Sequence, residues 1–308
     1  MQLIFGGAVQ ILHFLTVPET RVTVMIDKEA QRRRKTGEDP DVYGPNEART
    51  VRQRFAVREI LTIWARPFIM FATEPIVLCL SLFSGFSDAL IFTFLESYAP
   101  VYAQWGFGTV AVGLAFVPIL VGYVVAYAVF AGFIRRDRRL RARIPDEIQP
   151  ESRLFGLLFT APLLTLGLFS FAWTSTGPPL PWIAPMICSA AIGLANFAIY
   201  MATIDYMVAA YGPYAASATG GNALARDFLA GVAALYATPM YQNIGPVGRH
   251  LPYASTVLAC LAFVFTIPIY VFYWKGPEIR RRSRFASELA VGRAGNKGRR
   301  VSAVSDAP

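Results

Sequence analysis

Apolar residues dominate five long stretches, roughly Ile76 to Leu95, Val110 to Ile134, Leu154 to Trp173, Trp182 to Ile204 and Tyr253 to Trp274. A sixth, Tyr211 to Tyr236, is small and apolar except around Asn222, Arg226 and Asp227. About 20 helical residues cross the ~30 Å hydrocarbon layer of a bilayer, whereas a packed soluble helix would alternate apolar and polar faces. The pattern therefore predicts an all-α, polytopic membrane protein with six full transmembrane helices. A shorter run, MQLIFGGAVQILHFLTV, opens the chain and falls slightly short of a crossing, so it reads as the end of a helix whose beginning is missing. It lacks the basic start and small-residue cleavage site of a signal peptide.

The segments between these runs divide the chain into a partial transmembrane helix (1–17), a central loop (18–67), a six-helix transmembrane half (68–275) and a basic tail (276–308). The central loop carries RRRK at Arg32 to Lys35 and the turn-rich GEDPDVYGPNE. It is expected to be cytosolic and partly disordered, with helix from Glu47 to Trp64. Proline and glycine punctuate the runs at Pro118, Gly122, Pro162, Gly167, Pro185, Gly193 and Pro268. Membrane helices tolerate these because neighbouring helices re-satisfy freed backbone groups. Ala216, Gly220, Gly221, Ala225 and Gly231 predict close helix contact along the Tyr211 run.

Composition agrees: of 308 residues 55% are hydrophobic and only 16% charged, with mean hydropathy +0.42, where soluble domains approach a quarter charged. The net charge of +9 would suggest nucleic acid on a polar fold, but here the basic residues cluster beside apolar runs, so no nucleic-acid partner is expected. The linker, the Arg135 to Arg153 connection and the tail hold nearly all of them; the connections at Tyr98 to Gly108 and Ser175 to Pro181 hold none. The positive-inside rule then places linker, Arg135 connection and tail in the cytosol, with Arg249 the one basic residue on the outer side. Trp64, Trp105, Trp173, Trp182 and Trp274 all fall at predicted span ends, as an interfacial belt would place them.

Cys79, Cys188 and Cys260 each lie inside an apolar run and read as small buried hydrophobes, not as disulfide or metal ligands. His13 and His250 are isolated, and no HExxH, P-loop, GxSxG or glycosylation sequon occurs. No enzyme, metal or cofactor is indicated.

The candidate chemistry is intramembrane. An arginine at a helix centre costs about 2.5–3.5 kcal/mol on insertion scales, so Arg226 should face protein, a watery cavity or a counter-charge. Ala218, Asn222 and Arg226 share one helical face, while Asp227 lies about 100° round and need not pair with Arg226. A structural ion pair and a transport role both fit. Asp88, Glu96, Asn196, Asn222, Arg226 and Asp227 form the polar set, with Tyr123, Tyr127, Tyr200 and Tyr206 as aromatic hydrogen-bonders for a flat or cationic solute. Asp88 is the deepest carboxylate, whereas Glu96 near an outer helix end fits a solvated gate or cap equally well. Asp205 reads as a boundary or gate residue, and Asp137 as a gate candidate or a solvated member of its loop.

Several longer motifs resemble the C-terminal half of a major facilitator superfamily transporter, of the fungal drug:proton antiporter type that exports drugs and polyamines. The resemblance covers nearly the whole chain. It is carried by VPETR (Val17 to Arg21), EPIVL (Glu74 to Leu78), FLESYAPVY (Phe94 to Tyr102), GLAFVPILVG (Gly113 to Gly122), the segment Ile204 to Gly231, and FYWKGPEIRRRSRFA (Phe272 to Ala286). One departure is Ala209, where many such sequences carry aspartate. The family's loop between helices two and three and its glycine-proline motif in helix five belong to the half this chain lacks.

The resemblance implies secondary, proton-coupled export of small organic molecules across the plasma membrane, from a site between two six-helix halves. Its partners would be the lipid bilayer, the solute, protons, and a missing N-terminal half or a second copy. The alternative is a non-transporting remnant or partner half.

Overall fold

A computed structural model of the chain describes residues 2–18, 22–37, 41–44, 57–143, 149–283 and 285–286, with no strand among them. Contacts divide it into two units, Met1–Trp64 and Ala65–Pro308. The first holds α1 (Gln2–Thr16) and α2 (Val22–Thr36), together with the opening turns of α3 (Val57–Thr73). The second continues with α4 (Pro75–Ala103), α5 (Thr109–Leu114), α6 (Val117–Arg143), α7 (Leu157–Thr174), α8 (Ile183–Tyr211), α9 (Ala215–Asn243) and α10 (His250–Arg282).

Five largely helical stretches are long and apolar enough to cross a membrane: 75–103, 109–140, 150–174, 183–243 and 250–282. The fourth contains α8 and α9, each 29 residues, joined by one 3-10 turn at Gly212–Tyr214. The chain is an all-α polytopic membrane protein.

Within the linker, expected to be partly disordered, Val22–Thr36 is a helix. Glu29 accepts hydrogen bonds from Arg32 and Arg33, one turn ahead, at 2.9 and 3.0 Å, and these bonds hold its carboxyl at about 2. Gly37 then ends the helix at φ +74°, a conformation glycine adopts without strain. The helix expected from Glu47 to Trp64 is seen instead as α3, from Val57 to Thr73; residues 47–56 lie outside the described residues.

One predicted run is also re-cut. The stretch from Val110 to Ile134 is not one helix: Pro118, without an N–H, sits in the first turn of α6, and a tight turn at Ala115–Phe116 separates α5 from α6. Helices α6 and α10 then carry basic residues on to Arg143 and Arg282, so the tail begins as helix. Arginines 280–282 fill the last turn of α10, where cations suit the helix dipole.

Helix α4 is the centre of the second unit, packed on α8, α9 and α10; α6 and α7 pack on α8, and α10 on α7. Phe94, Tyr98, Tyr102 and Phe171 stack as a fully buried aromatic column on the α4 side. The α6–α8 crossing is close enough to need glycine on both helices. A Cβ on Gly122 would strike the Ala190 carbonyl, and one on Gly193 would lie 2.8 Å from the Ile119 carbonyl oxygen. Outward-facing Leu120, Val124 and Tyr127 leave α6 an apolar face suited to lipid. The cysteines are less enclosed than expected: Cys79 and Cys188 are half-buried and Cys260 is exposed, because Cys260 sits on the outward face of α10. All three are free.

A candidate transport site and a charge cluster at the basic end

Helices α4 and α9 pack along their length, and Gly85 makes the approach close at one level. A Cβ there would lie 3.1 Å from the Ala225 carbonyl oxygen. One turn further along α4 is Asp88, and one residue further along α9 is Arg226. The crossing therefore brings them together, with Arg226 Nε 3.5 Å from Asp88 Oδ2. The Arg226 guanidinium also lies 4.6 Å above the Tyr200 ring of α8. The two charged side chains keep 22% and 32% of their surface open, so the pair is not sealed inside the unit. Asp227, offset by its position on the helix, is exposed and does not share the pair.

Next to Asp88, Ser87 joins a second, tighter polar group. Asn196 of α8 donates to the Ser87 carbonyl at 2.9 Å and to its hydroxyl at 3.0 Å, and the Tyr123 hydroxyl of α6 donates to Asn196 Oδ1 at 2.9 Å. Asn222, buried one turn before Arg226, reaches Ser81 Oγ of α4 at 3.5 Å. Asp88, Arg226, Tyr200, Asn196, Tyr123 and Asn222 thus form one seam across α4, α6, α8 and α9.

Other expected residues lie elsewhere. Glu96 is exposed near the far end of α4 and accepts a hydrogen bond from Thr238 at 3.1 Å. Tyr127 is 67% exposed on the outer face of α6 and does not line the seam. Tyr206 sits at the basic end, fully buried, where its hydroxyl donates to Glu151 at 3.3 Å.

That end holds a cluster the sequence reading missed. Glu151, 5% exposed, receives two hydrogen bonds from Arg280, at 2.8 and 2.9 Å. Gly276 leaves room for it, since a Cβ there would strike the carboxylate. Nearby, Arg153 pairs with Asp205, and Ser152 donates to Asp137 at 3.0 Å, so both gate candidates are tied to the segment that opens α7. Glu74 is also buried, with the Tyr211 hydroxyl 3.2 Å away. The available signal was an acid, Glu151, two residues before an arginine at the mouth of an apolar run. Among the described residues no group of three or more His, Cys, Asp or Glu is placed to hold a metal.

No protein-family model matches the chain, and no solved structure matches it significantly. Curated proteins do. It is 33% identical over 279 residues to an efflux pump of Aspergillus terreus, covering 88% of this chain and 57% of the pump. It is 30% identical over 287 residues to an MFS-type transporter of Aspergillus candidus, 92% of this chain and 54% of the relative. A multidrug transporter of Candida glabrata matches at 29% over 290 residues, 94% of this chain and 48% of the relative. Along nearly its whole length the chain is similar to transporters of the major facilitator superfamily. It spans about half the length of the curated relatives it matches. These relatives are named as transporters and pumps.

Proposed function

We propose that the chain forms one wall of a secondary transporter that exports small organic or drug-like molecules in exchange for protons. The observation that carries this reading is the Arg226–Asp88 pair, loosely held against Tyr200 in helices that are otherwise apolar. A membrane charge pair that is neither closed nor fully hydrogen-bonded is costly unless it is used. A flat or cationic solute competes with Arg226 for the Asp88 carboxylate and the Tyr200 face, while a proton on Asp88 removes the attraction for the cation. Proton and solute then exchange at one carboxylate. Asn222 and the Asn196–Tyr123 group hold the helices that carry it. Asp137 and Asp205 act at the cytosolic end as gate residues, and Glu96, Asp227 and Tyr206 line the route.

Because the chain spans about half of its relatives, the opposite wall comes from a second six-helix unit or from another copy of this chain. We place the chain in the plasma membrane; the relatives' names support export, and the basic connections support an orientation with linker, Arg135 connection and tail in the cytosol.

Transport is tested by Arg226→Ala, expressed with a complementary half from a relative. Loss of drug export with normal membrane insertion is expected. Normal export across cationic and neutral drugs would overturn the reading. Orientation is tested in a background lacking the native cysteines: Gly108→Cys and Thr176→Cys should react with an impermeant thiol reagent in intact cells, and Arg139→Cys should not. Reversed labelling would reject the topology.

A further inference from the structure

One sizeable cavity lies away from the polar seam. It lies at the basic end, between the α3–α4 junction and the last turns of α10, with a volume of about 710 Å³. That is within the roughly 300–1,000 Å³ of small-molecule sites. Ile69, Pro75, Ile279 and Phe285 give it apolar walls, and Glu74 and Lys275 also line it. Glu278 and Arg282 also line it but face each other at 3.5 Å, so their charges offset.

Glu74 is the unusual member. It is the residue before α4, where an acidic side chain commonly caps the first backbone N–H groups, yet it makes no such bond. The residue is 4% exposed, and among the described residues its one hydrogen bond is from the Tyr211 hydroxyl. A carboxylate has room for about four hydrogen bonds, and burying one with a single neutral donor is expensive. The adjoining ions do not balance it. Arg280 is already engaged by both oxygens of Glu151, and Lys275, exposed at the cavity's edge, forms no ion pair with Glu74. A buried negative charge opening on an apolar-walled cavity calls for a cation with a hydrocarbon body.

We propose that this cavity binds the ammonium group of an amphiphilic amine, the ammonium at Glu74 and the chain along Ile69, Ile279 and Phe285. Two sources share that chemistry: a soluble alkylamine, and a membrane phospholipid with an ethanolamine headgroup, whose phosphate would meet Lys275. The site is separate from the Asp88–Arg226 pair and does not depend on transport.

The test uses the purified full chain in a non-ionic detergent, titrated with dodecylammonium and, separately, with phosphatidylethanolamine; dodecanol and phosphatidylglycerol are the controls. A saturable rise in the unfolding midpoint with at least one of the amines, and with neither control, is expected. Response to dodecylammonium alone identifies the soluble source, and response to the phospholipid alone the membrane source. Glu74→Gln should weaken apparent binding about tenfold or more, the scale of a lost charge-assisted hydrogen bond. Ile279→Trp fills the cavity while leaving Glu74 and Tyr211 in place, and it should abolish the response; it decides the matter if Glu74→Gln does not fold. Lys275→Gln should weaken the phospholipid response and spare dodecylammonium. Equal shifts from the controls, an unsaturable response, or full binding by both Glu74→Gln and Ile279→Trp would overturn the proposal.

Discussion

Arg226 and Arg280 each meet one carboxylate, but in different ways. Arg280 makes two short hydrogen bonds to a Glu151 that is 5% exposed, with Tyr206 and Gly276 closing round it. Arg226 stands 3.5 Å from Asp88, its buried Nε makes no hydrogen bond, and both side chains are partly open. A two-point arginine–carboxylate contact is directional and hard to exchange, whereas a single longer contact beside an aromatic face leaves both partners available to a third charge. The closed pair suits fixing helix ends; the open one suits exchanging ligands.

The sharpest way to break this contrast is at the closed pair. Arg280→Ala strands a buried carboxylate, which typically costs about 3–5 kcal/mol, so the folded fraction after detergent extraction should collapse. Glu151→Gln with Arg280→Met should recover much of it, since removing both charges removes the stranded one. If Arg280→Ala extracts normally, the cluster is not the lock that its geometry describes.

Asn196→Leu probes the polar group beside the open pair. It leaves Tyr123 and Ser87 without their shared partner, and a loss of about 1–3 kcal/mol should appear as a lower unfolding midpoint. Arg226→Ala should cost no more than about 1 kcal/mol, because its partner remains partly solvated, while export falls away. Asp227→Asn should leave abundance unchanged. Abundance falling equally in both variants would make the Arg226 region structural and erase the contrast.

The smallest expected effect is outside the membrane helices. The Glu29 carboxyl, held low first by Arg32 and then by Arg33, should titrate by NMR near 2, against an ordinary value of 4.5. The sign follows: α2 gains from these contacts above about pH 4.5 and loses them as pH falls through about 2. Added salt should move the midpoint upward, since the contacts are exposed.

Residue by residue, the seam was more legible than the basic end. Asn222 and Arg226 stood out because a polar group in an apolar run is conspicuous, and the 100° step already separated Asp227 from Arg226. Glu151 and Arg280 sat in segments rich in charge, where one more acid or base carries no signal. The helix Val22–Thr36 was missed for a related reason: its polar composition reads as disorder, although Glu29 and the two arginines lie at helical spacing.

The sequence alone determined the number of long apolar helices, their approximate ends and the uneven distribution of basic residues between their connections. Those properties are local, since crossing length and charge placement depend on a residue and its near neighbours along the chain. It did not determine how each helix is rotated. A helix that is apolar on every side has no polar stripe to orient it, so its facing is set by the fit of its neighbours. Gly85 against Ala225 aims Asp88 at Arg226, and Gly276 opens the space in which Arg280 grips Glu151. The partners of both arginines, and the cavity beside Glu74, were therefore decided by tertiary packing.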